Sequence, residues 1–217
     1  GSEMCIRDRQ ATVTIGVSEI ALHLLLLPVL GEFRRKYPKI RLRISSYTAP
    51  QAIQTVRNGL SDFAVASTPA EVKKPLKAIP LLSFKEILVA NAAYKDMFKE
   101  PVSLKKLVEY PFICLGKNTS TYDFYTRFFL EHGIAMTADT EAATIDQILP
   151  MVRQNLGIGF IPEPLAQEVI EQGIVIQVPL LEEPPVREIC FVEDKSSPHS
   201  MAANVLKEML FQVGEKE

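Results

Sequence analysis

Short apolar runs alternate with longer helical patterns along almost the whole chain from Thr12 onward. Strands are predicted at 13–17, 40–45, 62–67, 85–91, 112–115, 136–142, 157–161, 174–178 and 188–192. Between them the 3.6-residue period predicts helices at 20–37, 50–59, 103–110, 122–132, 145–154, 164–172 and 198–213. "DFAVAS" (62–67) is apolar throughout, as a buried parallel strand requires, whereas "IRLRIS" (40–45) alternates apolar and basic residues and has one less buried face. Strands alternating with helices imply an α/β architecture with largely parallel sheets. About nine or ten strands are many for one sheet of this length, so two smaller sheets with a break between them are expected.

Punctuation refines these elements. Gly59 closes the helix over 50–59, Ser103 caps the one that follows, and Pro38 and Pro111 stop their helices. The first helix, "LHLLLLPVL" within 20–37, is apolar nearly all round, more than one buried stripe needs. Pro28 should kink it unless the run before is a separate turn. The longest apolar stretch, 20–30, is too short to span a bilayer and contains His23 and Pro28.

Composition adds exclusions. The chain has 217 residues, 24 Lys plus Arg against 26 Asp plus Glu, and a net charge of −2, so no basic surplus exists to neutralise phosphates. Cys5, Cys114 and Cys190 lack metal-ligand spacing and read as free thiols of a reducing compartment. No metal or cofactor is read from the sequence. Residues 1–11 are read as a tag or linker remnant and carry no apolar signal-peptide core.

"GVSEIALHLLLLPVLGEFRRKYPKIRLRISSYTAPQAIQTVRNGLSDFAVAS" and "TIDQILPMVRQNLGIGFIP", with "SLKKLVEYPFI" between them, resemble the effector-binding domain of LysR-type transcriptional regulators from about Thr12 to Leu210. The resemblance implies two Rossmann-like subdomains in the manner of type 2 periplasmic binding proteins, joined by two crossover strands, with a small effector in the cleft. Subdomain one maps to 12–87 plus 187–217, and subdomain two to 88–186. The family's N-terminal winged helix-turn-helix domain is absent from this sequence, and DNA would be bound only through it. The resemblance also implies a homodimer through the first helix, a tetramer in the full-length regulator, a cytoplasmic location and no enzymatic activity. Two departures stand out. "NTST" (118–121) with Tyr122 replaces a segment in which the family often has an Arg, and Asn155 stands where many members have Gly before "LGIG". Asn tolerates the left-handed backbone almost as Gly does.

The candidate ligand contacts are Ser18, Glu19, Thr48, Ser67, Thr119, Ser120 and Thr121, with Phe160 as an apolar wall. Open α/β sheets bind ligands at the carboxyl ends of their strands, where "SYT" (46–48), "ST" (67–68) and "NTST" (118–121) cluster hydroxyls. Turn and cap chemistry explains any one of these loops by itself. Ser18 is expected both to cap the first helix and to share its free N–H groups with a ligand. Glu19 would repel an anion there, which leans the effector away from dicarboxylates. Of the histidines, His23, His132 and His199, none belongs to a nucleophile, zinc or phosphate motif. "TRF" (126–128) matches the catalytic tripeptide of prephenate dehydratases but falls inside a helical pattern. The rival reading of the same fold is an extracytoplasmic solute-binding protein of a transporter.

Overall fold

The computed structural model describes residues 11–45 and 47–215. The tag or linker reading of 1–10, Cys5 and the Ser46 part of the "SYT" loop lie outside them. The chain divides into two compact units, the first reaching to Ser83 and resuming at Glu188, the second spanning Phe84–Arg187.

Unit one carries a five-stranded sheet in the order β2-β1-β3-β10-β4. β1 (Thr12–Val17) pairs in parallel with β2 (Arg41–Ser45) and with β3 (Phe63–Ser67), whose five residues are all buried. β2 lies at the sheet edge, which accounts for its exposed arginines. β10 (Arg187–Asp194) runs antiparallel to β3, with Ile189 opposite Ser67. β4 (Leu76–Phe84) has no counterpart in the sequence prediction, because Pro80 interrupts its pattern. A proline is tolerated there because β4 is the other edge strand, where a missing donor breaks no central ladder.

The first helix is not uniform. α1 (Glu19–Ala21) passes into a π turn at Leu22–Leu26 and then into α2 (Leu27–Lys36), with Pro28 in the first turn of α2. A regular α-helix would ask the Leu24 carbonyl to accept from the N–H that Pro28 lacks. The π register, in which Leu27 N–H donates to the Leu22 carbonyl five residues back, relieves that demand. α3 (Ala49–Arg57) packs so closely on β1 that a Cβ at Gly16 would lie 2.7 Å from the Ala52 carbonyl. Ala49, Ala52, Ile53 and Val56 of α3 bury against Ala64, Ala66 and Val192 of the sheet. α8 (Met201–Gly214) is the last helix of unit one.

Unit two carries a second five-stranded sheet, β7-β6-β8-β5-β9. β6 (Phe112–Leu115) is parallel to β7 (Thr140–Ala142) and β8 (Ile158–Pro162), while β5 (Glu86–Asn91) is antiparallel to β8 and β9 (Val175–Val178). The sheets are therefore mixed rather than largely parallel. The strands that break the rule, β5 and β10, are those through which the chain enters and leaves unit two. Helices α4 (Leu104–Leu107), α5 (Ser120–Glu131), α6 (Ile148–Arg153) and α7 (Glu163–Glu171) complete the unit. The strand predicted over 136–142 shrinks to Thr140–Ala142, since ladder pairing begins only after Asp139, whose carboxylate accepts from Phe112 N–H at 2.8 Å. Asn155 has a φ of 61°, the left-handed backbone expected of it. The core of unit two is aromatic, built on Phe98, Phe112, Tyr125, Phe128, Phe129 and Phe160.

Candidate functional site

In unit one the candidate residues sit at the carboxyl ends of three parallel strands. Ser18 follows β1, Ser67 ends β3 and Thr48 opens α3 after β2. Ser18 is 3% exposed and occupies the N-cap position, yet its side chain makes no capping bond, contrary to the sequence expectation. Its hydroxyl accepts from Ser67 N–H at 3.0 Å and donates to Ser67 Oγ at 3.3 Å, while its own N–H donates to the Val65 carbonyl at 3.1 Å. The first free N–H of α1, that of Glu19, donates to the Tyr47 carbonyl at 3.1 Å. The chain itself thus answers part of the demand at this helix end. Thr48 does cap: its Oγ1 accepts from Gln51 N–H at 3.2 Å, and Gln51 Oε1 accepts from Thr48 N–H at 3.3 Å.

In unit two the candidate loop follows β6. Thr119 caps α5, its hydroxyl accepting from Tyr122 N–H at 3.0 Å and donating to the Gly116 carbonyl at 2.8 Å. Ser120 and Thr121 are both buried in the first turn. Thr121 Oγ1 accepts from Arg187 Nη1 at 3.1 Å, whereas the Ser120 hydroxyl has no hydrogen-bond partner among the described residues. Phe160 lies in the middle of the aromatic core, stacked on Tyr125 with ring centroids 4.6 Å apart, and edge-on to Phe112, Phe128 and Phe129.

Beside this loop lies a group that the sequence reading missed. Arg187 Nη1 donates to Glu86 Oε1 at 2.7 Å, and both side chains are 1% exposed. Burial, and then the charge of Glu86, pushes the Tyr125 phenol well above its ordinary value. The available signal was the pair of charged residues that opens each of two otherwise apolar strands, "KEILVAN" and "VREICFV", with no indication that they meet.

His132 and His199 are engaged in packing and hydrogen-bonding contacts within their own units. His132 bonds to the Phe128 carbonyl at 3.0 Å, and His199 Nε2 lies 2.7 Å from Glu193 Oε2. Thr126 to Phe128 fall inside α5. Cys114 and Cys190 are free and buried, and burial pushes their thiols up to about 12 and about 11.

Residues 7–215 match the model of the LysR substrate binding domain. The chain belongs to that family. Among curated relatives of this LysR domain, the HTH-type transcriptional regulator CysB of Burkholderia cenocepacia is 24% identical over 163 residues, covering 75% of this chain and 52% of CysB. The chain thus spans about half the length of that relative, and other relatives matched are likewise transcriptional regulators. The regulatory domain of Synechocystis CcmR in complex with 2-PG superposes with a TM-score of 0.84 at 19% identity, covering 95% of this chain and 98% of that one. The effector binding domain of QuiR in complex with shikimate gives 0.82 at 15% identity, covering 96% and 99%. These two likenesses carry the two-subdomain, periplasmic-binding-protein-like fold to the LysR domain described here. No helix among its described residues is long and apolar enough to cross a membrane.

Proposed function

We propose that this domain senses a small-molecule effector in the inter-lobe cleft implied by the family resemblance, and that in the intact regulator occupancy controls DNA binding and transcription. The observation that carries the reading is the placement of hydroxyl groups at the carboxyl ends of parallel strands in both sheets. Ser18, Glu19, Thr48 and Ser67 serve from unit one, and Thr119, Ser120 and Thr121 from unit two. Phe160 backs the second group through Tyr125. Solved neighbours with 2-PG and with shikimate bound support a small polar ligand. The domain is not an enzyme in this reading. It acts in the cytoplasm as a homodimer through α1 and α2, within a tetramer of the full-length chain, and meets DNA only through an N-terminal domain. The ligand acts through its differential affinity for two states of the protein.

A thermal-shift screen against amino acids, aromatic acids, dicarboxylates, sugars and inorganic anions tests the proposal. A ligand at 100 times its dissociation constant adds about 2.7 kcal/mol of stability. Ser120 gives the cleanest follow-up, because its hydroxyl has no hydrogen-bond partner to lose among the described residues. Ser120→Ala is expected to weaken a hit several-fold, the scale of one neutral hydrogen bond, while leaving the unliganded melting temperature unchanged. Unchanged affinity in Ser120→Ala and in Thr119→Ala would show that the ligand binds elsewhere.

A further inference from the structure

Glu86 opens β5 just after the chain enters unit two, and Arg187 opens β10 where the chain leaves it. These two positions, 101 residues apart, are joined by the buried 2.7 Å ion pair. The same Arg187 nitrogen also donates to Thr121 Oγ1, 3.1 Å away in the first turn of α5. The guanidinium lies over the rings of Phe84 and Phe124, 5.4 and 4.9 Å from their centroids. These acceptors and ring faces hold the planar group between α5 and the start of β5.

The next residue continues the path. Glu188 N–H donates to Thr68 Oγ1 and Thr68 N–H to the Glu188 carbonyl, both at 2.9 Å. Thr68 follows Ser67, which Ser18 holds. Covalent and hydrogen bonds therefore run from the first turn of α5, through Arg187, to the Ser18–Ser67 pair. A buried ion pair is a poor source of stability compared with apolar packing, and fixing register or a switch is its best-attested use.

We propose that Arg187 is a positioning residue that makes the first turn of α5 and the two chain crossings open and close as one unit. The inference rests on the reading that Thr119 to Thr121 contact an effector, since a molecule seated there then biases both crossings through Thr121, Arg187 and Glu86.

Native-state hydrogen exchange on the unliganded domain tests the coupling. The reporters are the amides of Glu188, bonded to Thr68 Oγ1, and Glu163, which donates to the Lys85 carbonyl at 2.8 Å. Thr121 makes no hydrogen bond to either amide. Thr121→Val keeps the side-chain shape and the ion pair but removes the acceptor; Thr121→Ser keeps the acceptor. Thr121→Val is expected to accelerate exchange at both reporters about tenfold, the scale of one hydrogen bond to a charged group, and Thr121→Ser to leave them at the wild-type rate. Acceleration confined to Tyr122 and Asp123 of α5 overturns the proposal. Arg187→Lys, which keeps the charge but not the planar fork, should accelerate the same two amides, and unchanged rates there also overturn it. Because no ligand is needed, a silent ligand screen leaves this result readable, and uncoupled exchange leaves the effector assignment standing.

Discussion

The Ser18 hydroxyl is committed to Ser67: it accepts from the Ser67 N–H at 3.0 Å and donates to the Ser67 Oγ at 3.3 Å, with both residues buried. The serine that opens the first helix therefore ties the end of β1 to the end of β3 instead of capping the helix. Ser18→Ala leaves a buried N–H and a buried hydroxyl unanswered, which costs about 1–3 kcal/mol. Urea unfolding without ligand should show that loss. A loss of only a few tenths would mean that water replaces the serine and that the site is more open than its burial indicates.

The Glu86–Arg187 pair predicts that a second substitution offsets the first. Arg187→Met strands a carboxylate that is 1% exposed and should cost about 3–5 kcal/mol. Adding Glu86→Leu removes the stranded charge and should restore most of that stability, because apolar replacement of a buried pair is often neutral or better. Equilibrium unfolding of the single and double variants decides it. A double variant as unstable as Arg187→Met alone would place the cost in packing against Phe84 and Phe124 rather than in charge.

The pattern of apolar runs sufficed for the α/β class and the two sheets, because buried strands such as "FAVAS" write their burial directly into the sequence. It failed where local rules were overridden by position in the sheet. Pro80 hid β4, which an edge can tolerate, and the "MTADTEA" alternation promised a longer β7 than the backbone pairs. Pro28 flagged an irregular helix, but a π turn at 22–26 has no sequence signature of its own. At the candidate site, the capping roles of Thr48 and Thr119 were legible from turn chemistry. The Ser18–Ser67 and Glu86–Arg187 partnerships were not, since each joins residues 49 or 101 positions apart and only the fold brings them together.

The two described cysteines should be inert in the native state. Burial raises Cys114 to about 12 and Cys190 to about 11, so at pH 8 the thiolate fraction of either is at most about one in a thousand. In a Cys5→Ser background, iodoacetamide at pH 8 should modify neither thiol on the timescale that labels both in urea. Intact mass measured over time checks this, and rapid labelling of one thiol in the folded domain would reveal an opening of its sheet.

Acid should act on unit one through Glu193. Burial pushes its carboxyl up, but hydrogen bonds from Lys207 at 2.8 and 3.0 Å and from His199 at 2.7 Å, with their charges, outweigh it and leave the group below its ordinary 4.5. A carboxyl depressed by folding contributes stability that is complete above the unfolded value and is lost as pH falls through the folded one. Lys207 also lies 5.4 Å from the Phe191 ring and 5.7 Å from that of Phe211, so removing its charge and losing its packing must be told apart. Lys207→Met keeps much of the apolar stem. It should be less stable than wild type at pH 7, and the gap should narrow as pH falls through the folded-state value of Glu193. Urea midpoints over a pH series measure the difference. A gap that stays constant down the acid series would assign the contribution of Lys207 to the aromatic rings rather than to Glu193.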